Sequence, residues 1–243
     1  MKKLILAFLV VFSMSSCDEI LDVLTAGEGG GLAAITQGEA VTGLKQALEV
    51  GVNNGTSFLG QKDGFLKNAA YKILMPQEVQ GAITKIKERP LIYSLVEPQL
   101  DKVVGSMNTG ASNAMAEAKP IFVNAIKGMS ISDGIKIVTG GEGAATNFLK
   151  QATSSQLRTK FRPVIKNSLD KVNINEPWTK VTTAYNQVLG KKVQTDLNDY
   201  VTDKAMTALF SQVKQEEDKI RANPVARTTD ILKKVFGYAD AQK

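Results

Sequence analysis

The stretch Asp196–Arg221, DLNDYVTDKAMTALFSQVKQEEDKIR, decides the fold class. Leu197, Tyr200, Val201, Ala205, Leu209, Val213 and Ile220 recur at helical spacing, so they line one face of a long helix. Lys214, Lys219 and Arg221 stand within reach of Glu216, Glu217 and Asp218, which is the arrangement of intrahelical ion pairs. Asp196, Asp199 and Asp203 also follow the helix period. A calcium loop would instead require alternating Asp-x-Asp-x-Asp-Gly, which is absent.

The same period extends outward. Thr36 with Glu39 makes a capping box ahead of Val41, Leu44, Leu48 and Val52, with Gly55 and Gly60 punctuating the end. Asp63-Gly64 opens a second helical piece carrying Phe65, Leu66, Ala69, Ile73 and Leu74. Pro76 suits the first turn of a third, with Val79, Ile83 and Ile86 as its stripe. Pro98 starts a long segment in which Leu100, Val103, Met107, Ala111, Ala114 and Ala118 recur; its small residues imply close approach of a neighbouring helix. Pro120 stops it, leaving Ile121–Lys127 as a short helix.

Ser130 with Asp133 caps Ile131–Val138. Ser155–Val172 carries Leu157, Phe161, Val164, Ile165 and Leu169, kinked at Pro163. Pro177 begins a further helix with Trp178, Val181, Tyr185 and Val188. No strand-like alternation persists. The pattern predicts an all-α fold, a single-domain bundle of roughly eight to ten helices over residues 36–243. Two helical halves meeting near Gly140 are the alternative.

The N-terminus has a different character. Lys2 and Lys3 precede an apolar run from Leu4 to Phe12, followed by Ser15, Ser16 and the chain's single cysteine, Cys17. This is the layout of a secretory signal, and the run is far short of the about 20 residues that span a bilayer. A cysteine directly after two serines predicts a lipoprotein signal peptide over 1–16, with Cys17 as the lipid attachment site. Residues 17–35, with Gly27, Gly29, Gly30 and Gly31, read as a flexible tether. The expected location is the bacterial cell envelope, with the domain tethered to a membrane facing the periplasm or the exterior.

Composition removes several chemistries. With no histidine and one cysteine, neither a Cys/His zinc site nor a disulfide framework can form, and no imidazole is available for proton transfer. Only a mild basic excess remains once Lys2 and Lys3 are gone, with no dense Lys/Arg run, so no nucleic-acid partner is expected. Thr139-Gly140-Gly141-Glu142-Gly143-Ala144-Ala145-Thr146 resembles part of a dinucleotide fingerprint, but Thr146 replaces the third glycine and no βαβ units follow. A glycine hairpin between helices accounts for it, and no cofactor or metal is expected. Ser168 with Lys171 and Ser211 with Lys214 have the spacing of a nucleophile and its base. The companion Ser-Asp-Asn and Lys-Thr-Gly elements of penicillin-recognising enzymes are missing.

Asn223-Pro224 should end the long helix. Beyond it, Thr228 and Thr229 offer caps for a helix burying Ile231, Leu232, Val235 and Phe236, with Gly237 as its stop. That helix is predicted to pack on the domain's own core, with Arg227 and Asp230 fixing the turn. A free helix that recognises a partner is the alternative.

Six blocks together carry a resemblance: Gly43–Leu48, Asp63–Asn68, Pro120–Phe122 through Ser132–Gly134, Ala144–Leu149, Asp196–Ala205 and Glu216–Gly237. The chain resembles the bacterial family called domain of unknown function 4197 from about Gly43 to Gly237. The resemblance implies an exported, often lipidated, mostly helical protein. It supplies no activity, cofactor or catalytic residue.

The expected function is a non-enzymatic, membrane-tethered helical module that binds another envelope component, an envelope protein among the candidates. An envelope hydrolase is the first alternative, with Asp63, Lys67 and Asn68 as its candidate polar cluster. A carrier of apolar ligands such as lipids is the second.

Overall fold

A computed structural model of the chain describes residues 36–174 and 196–223, together with 230 and 233. Among them the regular structure is entirely helical, and six helices are formed: α1 (Gln37–Gly60), α2 (Gln77–Lys87), α3 (Pro90–Lys127), α4 (Ile131–Thr139), α5 (Ala144–Asp170) and α6 (Leu197–Ala222). The count is lower than the predicted eight to ten for physical reasons. Pro98 and Pro120 lie inside α3, which runs uninterrupted for 38 residues and takes Pro90 at its first turn. Proline removes one hydrogen bond but keeps a helical φ. Ala118, Ile121 and Phe122 are buried in the same core on both sides of Pro120, so burial holds the chain helical through it. Asp63–Tyr71 forms successive turns and 72–74 has no regular structure, in place of a helix. The helix expected from Pro177 lies outside the described residues, and so does most of the C-terminal one.

Local signals set most helix starts. Thr36 Oγ1 accepts from Glu39 N at 3.2 Å while Thr36 N donates to Glu39 Oε2 at 3.0 Å. Ser130 and Asp133 repeat that box before α4. Asp196 caps α6, its side chain accepting from the N–H groups of Asn198 and Asp199. Asn223 closes α6 in an extended conformation, as the residue before a proline should. Gly55 does not end α1; it is a buried interior position.

The four long helices form the core. α1 packs on α3 and α6, and α5 packs on α3 and α6, with α4 covering α1 and α2 lying against α3. The stripe Ala111, Ala114 and Ala118 is fully buried, giving the close helix approach its small residues imply. Phe122 of α3 and Phe210 of α6 meet edge to face, with ring centroids 5.9 Å apart. α4 sits tightly on α1, because a Cβ at Gly134 would fall 2.5 Å from Val41 Cγ2. Residues on both sides of Gly140 share one hydrophobic cluster, so the described chain does not divide into two halves there.

Candidate functional site

The segment between α1 and α2 positions the candidate site. It begins with a left-handed residue, Asp63 at φ 64°, and buries Phe65 and Ile73. Its far end is clamped from two sides. Asn108 of α3, itself buried, accepts from Ile73 N and donates to Ile73 O, each at 2.8 Å. The side-chain amide thus stands in for a neighbouring strand. Tyr200 of α6 donates its hydroxyl to Leu74 O at 3.0 Å.

The predicted cluster is only partly assembled. Asp63 and Lys67 form an ion pair at 2.8 Å, with Lys67 largely exposed. The bond from Lys67 holds the Asp63 carboxyl below its ordinary range, and Asp63 in turn raises Lys67. A carboxylate held in this way is a weak general base. Asn68 turns elsewhere: its Oδ1 accepts from Ala70 N at 2.9 Å, and it borders a different cleft from Asp63.

What the segment builds against α6 is a pair of clefts meeting at Tyr71. One, of about 650 Å³, lies between Tyr71–Leu74 and the α6 residues Tyr200, Lys204, Thr207 and Ser211, with Gln77 and Gln80 of α2 at its border. The other, of about 570 Å³, lies between Asn54 and Phe58 of α1 and Gln212, Gln215 and Lys219 of α6. Tyr71 Oη donates to Gln212 Oε1 at 3.2 Å, accepts from Gln215 Nε2 at 2.8 Å and lies 3.4 Å from Ser211 Oγ. Lys204 stands over the Tyr200 ring, 5.7 Å from its centroid. Lys72 and Lys204 border the first cleft, and among its described lining residues there is no carboxylate. In the second, Glu216 is already taken by Lys219 at 2.6 Å and by Asn54 at 3.2 Å.

The remaining motifs are structural. Neither Ser-x-x-Lys pair places the amine on the hydroxyl. Ser168 is buried and bonds Val164 O, while Lys214 is held by Asp218 at 2.7 Å and by Glu142, which together raise its pKa. The intrahelical ion pairs of the acidic run form as expected, Lys219 with Glu216 and Arg221 with Glu217. The aspartates instead reach across to α5: Arg162 binds Asp196 and Asp199, and Arg158 binds Asp203. Among the described residues, no cluster of three His, Cys, Asp or Glu is placed to hold a metal.

The glycine hairpin is confirmed, with Gly141 and Gly143 at φ +75° and +77°. The helix start behind it is already occupied. Glu217 accepts from Ala145 N at 3.2 Å, Thr146 N at 2.9 Å and Thr146 Oγ1 at 2.8 Å, and Arg221 pairs with the same carboxylate at 2.8 Å. A pyrophosphate would have to displace this buried, fully bonded anion. Of the C-terminal candidates, Arg227, Thr228 and Thr229 lie outside the described residues, as does Cys17. Asp230 is exposed and pairs with Lys233 at 3.3 Å. No described helix is long and apolar enough to cross a membrane.

Sequence reasoning missed Tyr71 and Asn108. The one available signal was a lone amide, Asn108, on the apolar stripe of Val103, Met107 and Ala111. Neither a curated protein nor a solved structure matches the chain. Residues 34–237 match the family described as a protein of unknown function, DUF4197, and the chain belongs to that family.

Proposed function

We propose that this DUF4197 member is an envelope lipoprotein, anchored through Cys17, whose helical domain is a non-enzymatic binding module with its ligand site along α6 on either side of Tyr71. The observation that carries the binding site is the pair of clefts sharing Tyr71, whose wall is fixed by Asn108 and Tyr200. A wall held before binding costs no ordering when the ligand arrives. The side chains there are mostly amides, hydroxyls, aromatics and lysines, and the one carboxylate among the described lining residues, Glu216, is already bonded to Lys219 and Asn54. The anchor rests on the N-terminal sequence, where Cys17 follows a short apolar run and two serines.

Neither alternative finds support of this kind. A hydrolase at Asp63 would need a free carboxylate beside a second acid or base, and Asp63 is bound to Lys67 while Asn68 borders another cleft. An apolar carrier would need an enclosed cavity. Among the described residues, the apolar space lined by Leu44, Leu48, Val52 and Val213 amounts to about 20 Å³, room for roughly one water molecule.

The test is site-specific photo-cross-linking in intact cells, with a benzoylphenylalanine at Ser211 in the groove and, as a control, at the exposed Lys166 on α5. Discrete adducts from Ser211 and none from Lys166 are expected. Equal adducts at both positions, or none at Ser211, would overturn the assignment of the site.

A further inference from the structure

Resting on that reading, we propose that the two clefts act as one groove for an extended, anionic glycan. Tyr200, Lys204, Ser211, Gln215 and Lys219 follow one another along the exposed side of α6. At about 1.5 Å per helical residue the row is about 28 Å long, room for several sugar units end to end. Tyr71 lies across its middle, held by Gln212 and Gln215.

The chemistry of the wall fits sugar hydroxyls. Gln212 is spent on Tyr71 and Glu216, and Gln80 on Met75 O, so the groups left to match sugar hydroxyls in the first cleft are the Gln77 amide and the Thr207 and Ser211 hydroxyls. Tyr71 supplies a partly exposed ring on which the apolar face of a pyranose can rest, while the Tyr200 ring is covered by Lys204. The charge fits acidic groups on that chain. Lys72 and Lys204 border the first cleft, and no carboxylate stands among its described lining residues, so two cations are offered to acidic groups there.

An extended peptide fits less well. A peptide adding along a backbone edge needs unpaired N–H and C=O groups. In the wall, both polar groups of Ile73 are taken by Asn108, and Leu74 O is taken by Tyr200.

The experiment measures binding of the full-length protein, in detergent, to end-labelled peptidoglycan glycan strands released from sacculi by an amidase, whose lactyl carboxylates are then free, by fluorescence anisotropy. A second arm uses the released peptides. Wild type should bind the strands and not the peptides. Lys72→Gln with Lys204→Gln, and separately Tyr71→Ala, should weaken binding by about tenfold or more, while Lys166→Gln leaves it unchanged. Lys72 and Lys204 are exposed, so their double variant keeps the test where Tyr71→Ala does not fold. Wild type that does not bind the strands would overturn the proposal. So would groove variants that bind like wild type, or binding to the peptides alone, which would mark the peptide as ligand. Adducts at Ser211 without strand binding refute the glycan alone; absence of both refutes the binding site as well.

Discussion

Glu217 Oε2 accepts from the backbone nitrogen of Thr146 at 2.9 Å, so a carboxylate on α6 caps the first turn of α5 from 71 positions away. Glu217 and its partner Arg221 are both mostly buried, and Arg221 also donates to Ile137 O at 2.9 Å in α4. Three helices thus meet on one ion pair.

Glu217→Ala should therefore be severe. It strips two backbone N–H groups and strands the Arg221 guanidinium, a loss of about 3–5 kcal/mol when one member of a buried pair is removed. Thr146→Val removes only the hydroxyl contact and should cost about 1 kcal/mol. Urea unfolding of both single variants and the double variant measures this. Additive losses would show that the two residues do not share one network.

Asn108→Leu should release the segment that walls the groove. It leaves the N–H and C=O of Ile73 without partners, at about 1–3 kcal/mol for each buried group. Amide hydrogen exchange should show loss of protection at Ile73, with protection in the middle of α5 retained. Unchanged exchange at Ile73 would mean that the clamp is not what holds the segment.

Stability should fall in acid through Asp196. Burial pushes its carboxyl up, but bonds from the Asn198 side chain and from the Asp199 and Asn198 N–H groups outweigh it, so the folded value lies below the ordinary 3.8. A group with a depressed folded pKa contributes stability above its unfolded pKa and loses it as pH falls through the folded one. The urea midpoint should hold near neutrality and drop below about pH 4. Asp196→Ala should lose about 0.5–2 kcal/mol at pH 7 as an N-cap deletion and show a shallower acid slope. An identical acid slope would assign the effect to other carboxylates.

Gly134→Ala should destabilise the domain by about 1–3 kcal/mol, because its methyl would fall 2.5 Å from the buried Val41 Cγ2. The clash is with a stiff β-branched side chain, so Val41 cannot simply turn aside. Adding Val41→Ala should recover part of the loss in thermal melts. No recovery in the double variant would place the strain elsewhere.

Cys17→Ala tests the proposed anchor. The variant should leave the membrane fraction of detergent-free lysates or accumulate unprocessed, because acyl chains contribute about 0.8 kcal/mol of membrane affinity per buried methylene. A fully processed variant still in the membrane fraction would exclude lipid attachment at Cys17.

What the sequence determined alone is what lies within one or two helical turns. The Thr36–Glu39 and Ser130–Asp133 boxes, the Asp196 cap and the stop at Asn223 each join residues at most three or four positions apart, and each formed as read. The faces carrying Leu44, Val52, Leu157, Phe161, Val201 and Leu209 are buried because helical period alone brings them together. Their sum fixed the all-α class. Tertiary structure decided whatever joins distant positions. Pro98 and Pro120, which read as a start and a stop, became interior positions of α3, because the helix core that buries Ala118 and Phe122 is assembled from other parts of the chain. Asp63–Leu74 had helical spacing yet became a non-helical wall, because Asn108, 35 positions beyond Ile73, satisfies that residue's backbone outside any helix. The Tyr71 groove has the same origin: its hydroxyl meets Gln212 across 141 positions, a proximity no local pattern encodes, since it exists only once α1, α3 and α6 have packed.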